Sequence, residues 1–247
     1  MNHALTRLVE ARTVETVWAI LTREMSNFGF DRLLYGFTRF RTRTGIGNRD
    51  DMLVLTNHDD GYIRPFFDKA MFNRAPMTVW ALENEGAMSW SYINRIEAEL
   101  DEEQKQILEF NRAHGVIAGY TISFADSSAR QKGAIALTAR KGLNQCDVEN
   151  LWASDGETVN LLAQVAHLKI AALPFPSHMK RLSPRQREVL EWVGDGKTMQ
   201  DIAEIMGLTP PTVEKHLRKA REALDVDTTT QAVMKASLQR QIFVTDI

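Results

Sequence analysis

Apolar positions along the chain fall into runs of two periods. Leu5, Leu8, Val9, Val17, Ile20, Leu21 and Met25 recur at helical spacing and Gly29 supplies a stop, so the pattern predicts one amphipathic helix at the start. Residues 33–40 and 52–55 are apolar and aromatic runs between polar or Gly-containing stretches, which predicts strands. Residues 59–72 read as a helix limited by Pro65, and residues 102–113 as a helix closed by His114 and Gly115. Residues 120–124 and 134–139 read as further strands joined by a polar turn. Residues 147–173 form a long amphipathic helix carrying Leu151, Val159, Leu162, Val165, Ala166 and Ile170. This order predicts an antiparallel sheet packed between helices.

Two prolines in Leu173-Pro174-Phe175-Pro176-Ser177 cannot continue that helix and favour extended chain. Residues 174–180 are therefore expected to link a front module, 1–173, to a terminal module, 181–247. Four helices are legible in the latter. Ser183 caps the first, with Pro184 at its first position and Gly194 at its end. Thr198 caps the second, 199–206, which stops at Gly207; the third starts near Thr209-Pro210-Pro211 and runs to Leu224; the fourth covers 229–241. The second and third meet across the tight Met206-Gly207-Leu208-Thr209 connection, as in a helix-turn-helix. Periodicity assigns Val189, Leu190, Val193, Ile202, Ala203, Ile205, Leu208, Val213, Leu217, Ala220 and Leu224 to the core.

Composition narrows the class. At 247 residues, 44% hydrophobic and 25% charged, the chain is of globular type with room for two domains. Its one cysteine, Cys146, excludes an internal disulfide framework. No apolar run approaches the roughly 18 residues of a membrane span. Arg7, Glu10, Arg12 and Glu15 interrupt any signal-peptide core, so a reducing cytoplasm is the expected location and no membrane partner is expected. The net charge of −2 is uninformative about nucleic acid, but its distribution is not. Between residues 212 and 221, Lys215, His216, Arg218, Lys219 and Arg221 stand with only Glu214. The core positions leave most of these charges on the outside of the third helix. Such a helix fits the major groove, and Lys and Arg there donate to phosphate or guanine, so the expected partner is double-stranded DNA. Gly194-Asp195-Gly196-Lys197-Thr198 imitates a phosphate-binding loop, but Glu191 stands where that motif needs glycine and no buried strand precedes it. The stretch reads as a helix-to-helix turn.

The run Leu182-Ser183-Pro184-Arg185-Gln186-Arg187-Glu188-Val189-Leu190, then Gly196-Lys197-Thr198, Asp201-Ile202-Ala203 and Thr212-Val213-Glu214-Lys215-His216-Leu217, resembles the LuxR-type helix-turn-helix over nearly all of 181–241. The resemblance implies a recognition helix at 212–224. Glu214, Lys215 and Arg218 would face bases, and Lys197, Thr212, His216 and Lys219 would hold phosphates, with Thr198 beside them in the DNA-binding set. Glu214 occupies a position where members often carry a basic residue; a carboxylate there accepts from cytosine N4. Gln186 stands where many members carry Glu.

A phosphorelay receiver would need acidic residues at the ends of apolar parallel strands; Asp50-Asp51 and Asp59-Asp60 do not follow such runs. Instead aromatics crowd the front module: Tyr62, Phe66, Phe67, Phe72, Trp80, Trp90 and Tyr92. Spacing alone is consistent with core packing or with a ligand pocket. Thr56-Asn57-His58, Tyr62, Phe66-Phe67, Phe72, Pro76, Trp90, Gly115-x-x-x-Gly119 and the strand around Thr138 resemble the acyl-homoserine lactone-binding domain of LuxR-type quorum sensors. That resemblance implies an α-β-α sandwich with a cavity between sheet and helices, and Tyr62, Phe66, Phe67, Ala75, Trp90 and Thr138 as ligand-binding positions. Members that bind these lactones carry Trp at the position of Tyr62, Tyr at that of Phe66 and Asp at that of Ala75. An unpaired buried amide N–H costs roughly 1–3 kcal/mol, or ~10–150-fold in affinity. Three readings stay open: a lactone bound weakly or in a shifted pose, a less polar signal, or a cavity filled by its own side chains in a ligand-independent regulator whose front domain serves dimerisation.

Enzyme chemistry is not expected. None of His3, His58, His114, His167, His178 and His216 pairs at metal-ligand spacing with Cys or another His. His58-Asp59-Asp60 offers too few ligands for a hard cation, and Cys146 has no local basic partner. Neither a metal nor a cofactor is expected. The chain thus reads as an α+β protein, an α-β-α sandwich sensor with an antiparallel sheet followed by an all-α four-helix helix-turn-helix domain. The expected function is transcription regulation by DNA binding, controlled by an acyl-homoserine lactone or related small hydrophobic signal. A homodimer is expected because such modules read two half-sites, paired through 147–173 and through Ala232, Val233 and Ala236.

Overall fold

The computed structural model describes residues 2–41, 45–47, 49–125, 128–174 and 181–244 and divides the chain into two compact units, Met1–Ala172 and Leu173–Ile247. The expected linker, 174–180, lies outside the described residues beyond Pro174, and the turn at 125–133 is described except at 126–127.

The first unit opens on two helices rather than one, α1 (Asn2–Glu10) and α2 (Val14–Asn27). Thr13 is extended and its hydroxyl accepts the Thr16 N–H at 3.2 Å, a side-chain cap that starts a new helix. The apolar period runs through the break and conceals it. Then follow β1 (Phe30–Thr38), β2 (Met52–Thr56), α3 (Asp60–Asp68), α4 (Pro76–Glu83), β3 (Gly86–Ser89), α5 (Tyr92–Arg95), α6 (Glu102–Ala113), β4 (Gly119–Ser123), β5 (Lys132–Ala139) and α7 (Gln145–Ala172). The helix expected over 59–72 stops at Asp68. Ala70 takes a left-handed φ of 53° there and a single 3-10 turn, Met71–Asn73, follows. The patterning did not predict α4, β3 or α5. The strands form one sheet in the order β2-β1-β5-β4-β3, with every neighbour antiparallel.

The register gives this sheet two unlike faces. Leu33 opposes Leu137 and Tyr35 opposes Ile135, whereas the alternate positions pair Leu34 with Ala136 and Gly36 with Ala134. The bulky face packs on α2 and α7. Phe37 meets the His167 ring edge-on at 5.4 Å, and Trp152 of α7 stacks on Tyr120 at 3.9 Å and 7°. The other face, built of Gly36, Ala134, Ala136 and Thr138, is low and leaves space beneath α3, α4 and α6.

The second unit holds α8 (Pro184–Gly194), α9 (Met199–Met206), α10 (Pro210–Leu224) and α11 (Thr229–Leu238). Ser183, Thr198 and Thr228 each close a capping box, with Gln186, Asp201 and Gln231. Gln186 donates no charge but serves the box as Glu does, its Oε1 accepting the Ser183 N–H at 2.7 Å. Gly207 ends α9 with φ 63°, a conformation glycine adopts without strain. The core joins Leu182, Val189, Leu190, Ile202, Ala203, Val213, Leu217, Ala220 and Leu224 to Ala232, Ala236 and Ile242. Val193 and Leu208 pack on it half-buried. Two expectations fail here. Ile205 is 48% exposed, on the outer side of α9. Ala232 and Ala236 are fully buried in the unit's own core, so they are not available to pair one copy with another. The fourth helix ends at Leu238, three residues before the expected boundary. Among the described residues no helix is long and apolar enough to cross a membrane.

Candidate ligand chamber and nucleic-acid interface

Over the low face of the sheet lie two adjoining cavities of about 290 and 110 Å³ that share Leu34, Phe66, Met77, Thr78 and Ala136. They form one chamber. No atom lies within 4 Å of the point where a side chain on Gly36 would begin. Of the three readings left open, the one with an interior filled by its own side chains does not fit this space: small residues at alternate strand positions keep it open.

Tyr62, Phe66, Ala75, Trp90 and Thr138 line the larger cavity, and Phe67 lines the smaller with Phe66. α3 supplies Tyr62, Phe66 and Phe67, β5 supplies Thr138, and Ala75 and Trp90 come from the start of α4 and the end of β3. Asp59 caps α3 by accepting the Tyr62 N–H at 3.0 Å. Tyr62 then stacks between Phe66, at 5.4 Å, and Phe110, at 5.5 Å. Its hydroxyl donates to Asn111 Oδ1 at 3.0 Å, and burial raises its pKa, so it stays a neutral phenol. Trp90 spends its indole N–H on the Thr121 hydroxyl at 2.9 Å and walls the chamber with its ring. Gly119 makes room for it: a Cβ there would come within 2.2 Å of the Leu137 carbonyl and 3.0 Å of the Trp90 ring.

Among the lining residues that sequence reasoning did not assign to the ligand site are two polar ones, His58 and Asn111. His58 Nε2 lies 3.4 Å from Thr138 Oγ1, and burial, helped by Arg32, lowers its pKa to about 4. It is a neutral imidazole at physiological pH. Asn111 projects from the same stretch of α6 as buried Ile107 and chamber-lining Leu108, a polar residue in an apolar stripe that could have marked it. The chamber is thus polar at one end, with His58, Tyr62, Asn111 and Thr138, and largely apolar at the other, where Met52, Val54, Phe67, Phe72 and Ile46 line the wall together with Thr121 and Lys132. Ala75 contributes a methyl group. The His58-Asp59-Asp60 segment is no cation loop: Asp59 is the cap and Asp60 accepts from Arg64 at 2.6 Å. No group of His, Cys, Asp or Glu among the described residues could hold a metal ion.

In the second unit α10 presents Lys215, Arg218 and Lys219 exposed, with Thr212, Glu214 and His216 half-buried beside them. Lys197 is exposed in the turn that joins α8 to α9. The Thr198 hydroxyl donates to the Asp201 carboxylate at 2.7 Å and accepts the Asp201 N–H at 3.2 Å, holding the start of α9 and lowering the Asp201 pKa. Thr212 and Thr209 share a hydroxyl hydrogen bond of 2.9 Å. Arg218 donates to Glu222 at 2.8 Å on the solvent side. Arg221, which the motif did not assign to bases, donates to Glu214 at 2.8 Å.

A chambered α-β-α domain and a capped helix-turn-helix with a cationic third helix define a DNA-binding regulator of the ligand-responsive class. Residues 13–170 match the autoinducer binding domain, and residues 180–236 match the bacterial regulatory proteins of the luxR family. The chain belongs to this family of transcription regulators and is not an enzyme. It is 23% identical over 193 residues to the transcriptional activator CarR of Pectobacterium carotovorum, covering 74% of this chain and 77% of that one. It is 22% identical over 236 residues to the activator AnoR of Acinetobacter nosocomialis, with 94% of each chain covered. Escherichia coli SdiA, solved in complex with octanoyl-rac-glycerol, shares the fold at a TM-score of 0.55 and 17% identity, over 96% of this chain and 93% of that one.

Proposed function

We propose that this regulator occupies two-fold operator DNA as a cytoplasmic homodimer and that a small, largely apolar signal in the chamber governs when it does so. The chamber carries this reading: about 290 Å³ of open space, polar at one end, is costly to maintain in a close-packed interior unless something fills it. SdiA, of the same fold, holds an acylated glycerol. Tyr62, Phe66, Phe67, Ala75, Trp90 and Thr138, with His58 and Asn111, are the proposed ligand contacts. Lys215, Arg218 and Glu214 are the proposed base readers, and Lys197, Thr198, Thr212, His216 and Lys219 hold the backbone. The exposure of Lys215, Arg218 and Lys219 on α10 and of Lys197 and Thr198 at the α8–α9 turn supports their reaching DNA. Leu161 and Leu168, exposed on α7 at 42% and 67%, suit pairing of two front domains. The test is a thermal-shift and fluorescence-anisotropy series on the full chain, with acyl-homoserine lactones of increasing chain length and duplexes selected from a random library. Stabilisation by a ligand together with altered duplex affinity is expected. A protein that selects no duplex, with or without these ligands, overturns the proposal.

A further inference from the structure

We infer that the chamber selects a ligand whose head offers only hydrogen-bond acceptors, such as an acyl ester or ketone, and gives no advantage to an amide N–H. The inference rests on the chamber being the ligand site. It starts at the beginning of α4, where Ala75, Pro76, Met77 and Thr78 all line the larger cavity. No side chain caps this helix. Pro76 has no N–H, and the Thr78 and Val79 N–H groups turn back to the Ala75 carbonyl at 2.9 and 3.0 Å. Two consequences follow. The Ala75 carbonyl is already engaged and the Ala75 side chain accepts nothing. The Met77 N–H is the terminal donor of the helix, and the positive end of the helix dipole stands on the chamber wall.

The rest of the polar end has the same sign. Arg112 lines it, and Arg32 sits close enough to lower the proton affinity of both His58 and Tyr62. Asp59 and Asp31 oppose Arg32 at His58 more weakly, and neither lines the cavity. No lining residue of either cavity is Asp or Glu. An amide N–H entering here finds no carboxylate for a charge-assisted bond and points its positive hydrogen into a positive field. A carbonyl or ester oxygen finds the reverse. With Oδ1 accepting from Tyr62, Asn111 has its side-chain NH2 to donate.

The probes are N-octanoyl homoserine lactone and its ester analogue, α-octanoyloxy-γ-butyrolactone, which differ only in replacement of the N–H by oxygen. Calorimetric titration of the full-length protein with each gives the ratio directly, without any variant. The ester is expected to bind within about threefold of the amide or more tightly, and Ala75→Asp should then turn the preference toward the amide by about tenfold, the worth of one restored buried hydrogen bond. A wild-type protein that prefers the amide by about tenfold or more overturns the inference while leaving the chamber as the ligand site. If neither compound binds, nor any longer or shorter homologue of the pair, the ligand-site reading itself falls and takes this one with it.

Discussion

Arg221 holds Glu214 across two turns of α10: its Nη2 donates to the Glu214 carboxylate at 2.8 Å while its Nη1 donates to the Thr229 hydroxyl of α11 at 2.9 Å. The guanidinium fork therefore ties the carboxylate that would face bases to the neighbouring helix. A carboxylate in the major groove accepts from cytosine N4, so Glu214→Gln should relax preference for cytosine at one position of each half-site, at a cost of about 1–3 kcal/mol for the preferred operator. Arg221→Lys keeps the charge but loses the fork and should broaden the same position. Sequencing of duplexes selected by each variant reads this; unchanged preferences would remove Glu214 from the base-reading set.

Lys197 and Arg218 separate the two kinds of DNA contact. Lys197→Ala should weaken every duplex alike and reduce the salt slope by about one, as loss of a phosphate contact does. Arg218→Ala should cost about 1–3 kcal/mol on the preferred operator and less on random sequence. Titrations of both duplexes across salt concentration check the pair.

The low face of the sheet predicts a clean separation of folding from sensing. Ala136→Leu adds bulk to a residue shared by both cavities, and Gly36→Val projects into open space. Both variants should melt within a few degrees of the wild type, since they fill rather than overpack. Both should lose the melting-temperature rise that a bound ligand confers. A variant that still gains stability from ligand would place the site elsewhere.

His58 and His167 give the front unit a dependence on acidity. Burial is the main cause that lowers each to about 4 from 6.5, with Arg32 adding at His58 and Lys132 at His167. His167 is wedged against Phe124 at 4.0 Å and bonded to the Tyr35 hydroxyl at 2.9 Å. Because the unfolded chain binds these protons first, stability is complete above 6.5 and is lost as pH falls from there toward 4. Each histidine accounts for about 1–3 kcal/mol of that loss. Urea unfolding from neutral pH downward should show it, and His167→Gln should flatten part of the curve.

What the sequence disclosed and what it hid divide along local and non-local order. The caps Ser183, Thr198 and Gly207 mark three boundaries of the second unit because each acts on its own helix within a few residues. Ile205 misleads because an eight-residue helix has too few turns to fix the edge of its buried stripe. The stretch 76–95 resists reading because α4, β3 and α5 take their order from tertiary contacts, such as the backbone N–H of Trp90 on the Gly119 carbonyl at 3.1 Å. The meeting of His58 with Thr138, eighty residues apart, depends on β5 lying beside β1, which no local signal states.

The sheet's two unlike faces have an evolutionary consequence. The aromatic and branched residues that anchor α2 and α7 lie on one side, and Gly36, Ala134 and Ala136 lie on the other. Single replacements among those three would resize the chamber without touching the residues that hold α2 and α7. The interior of such a chain can be remodelled one side chain at a time, on a surface separate from the one that anchors its helices.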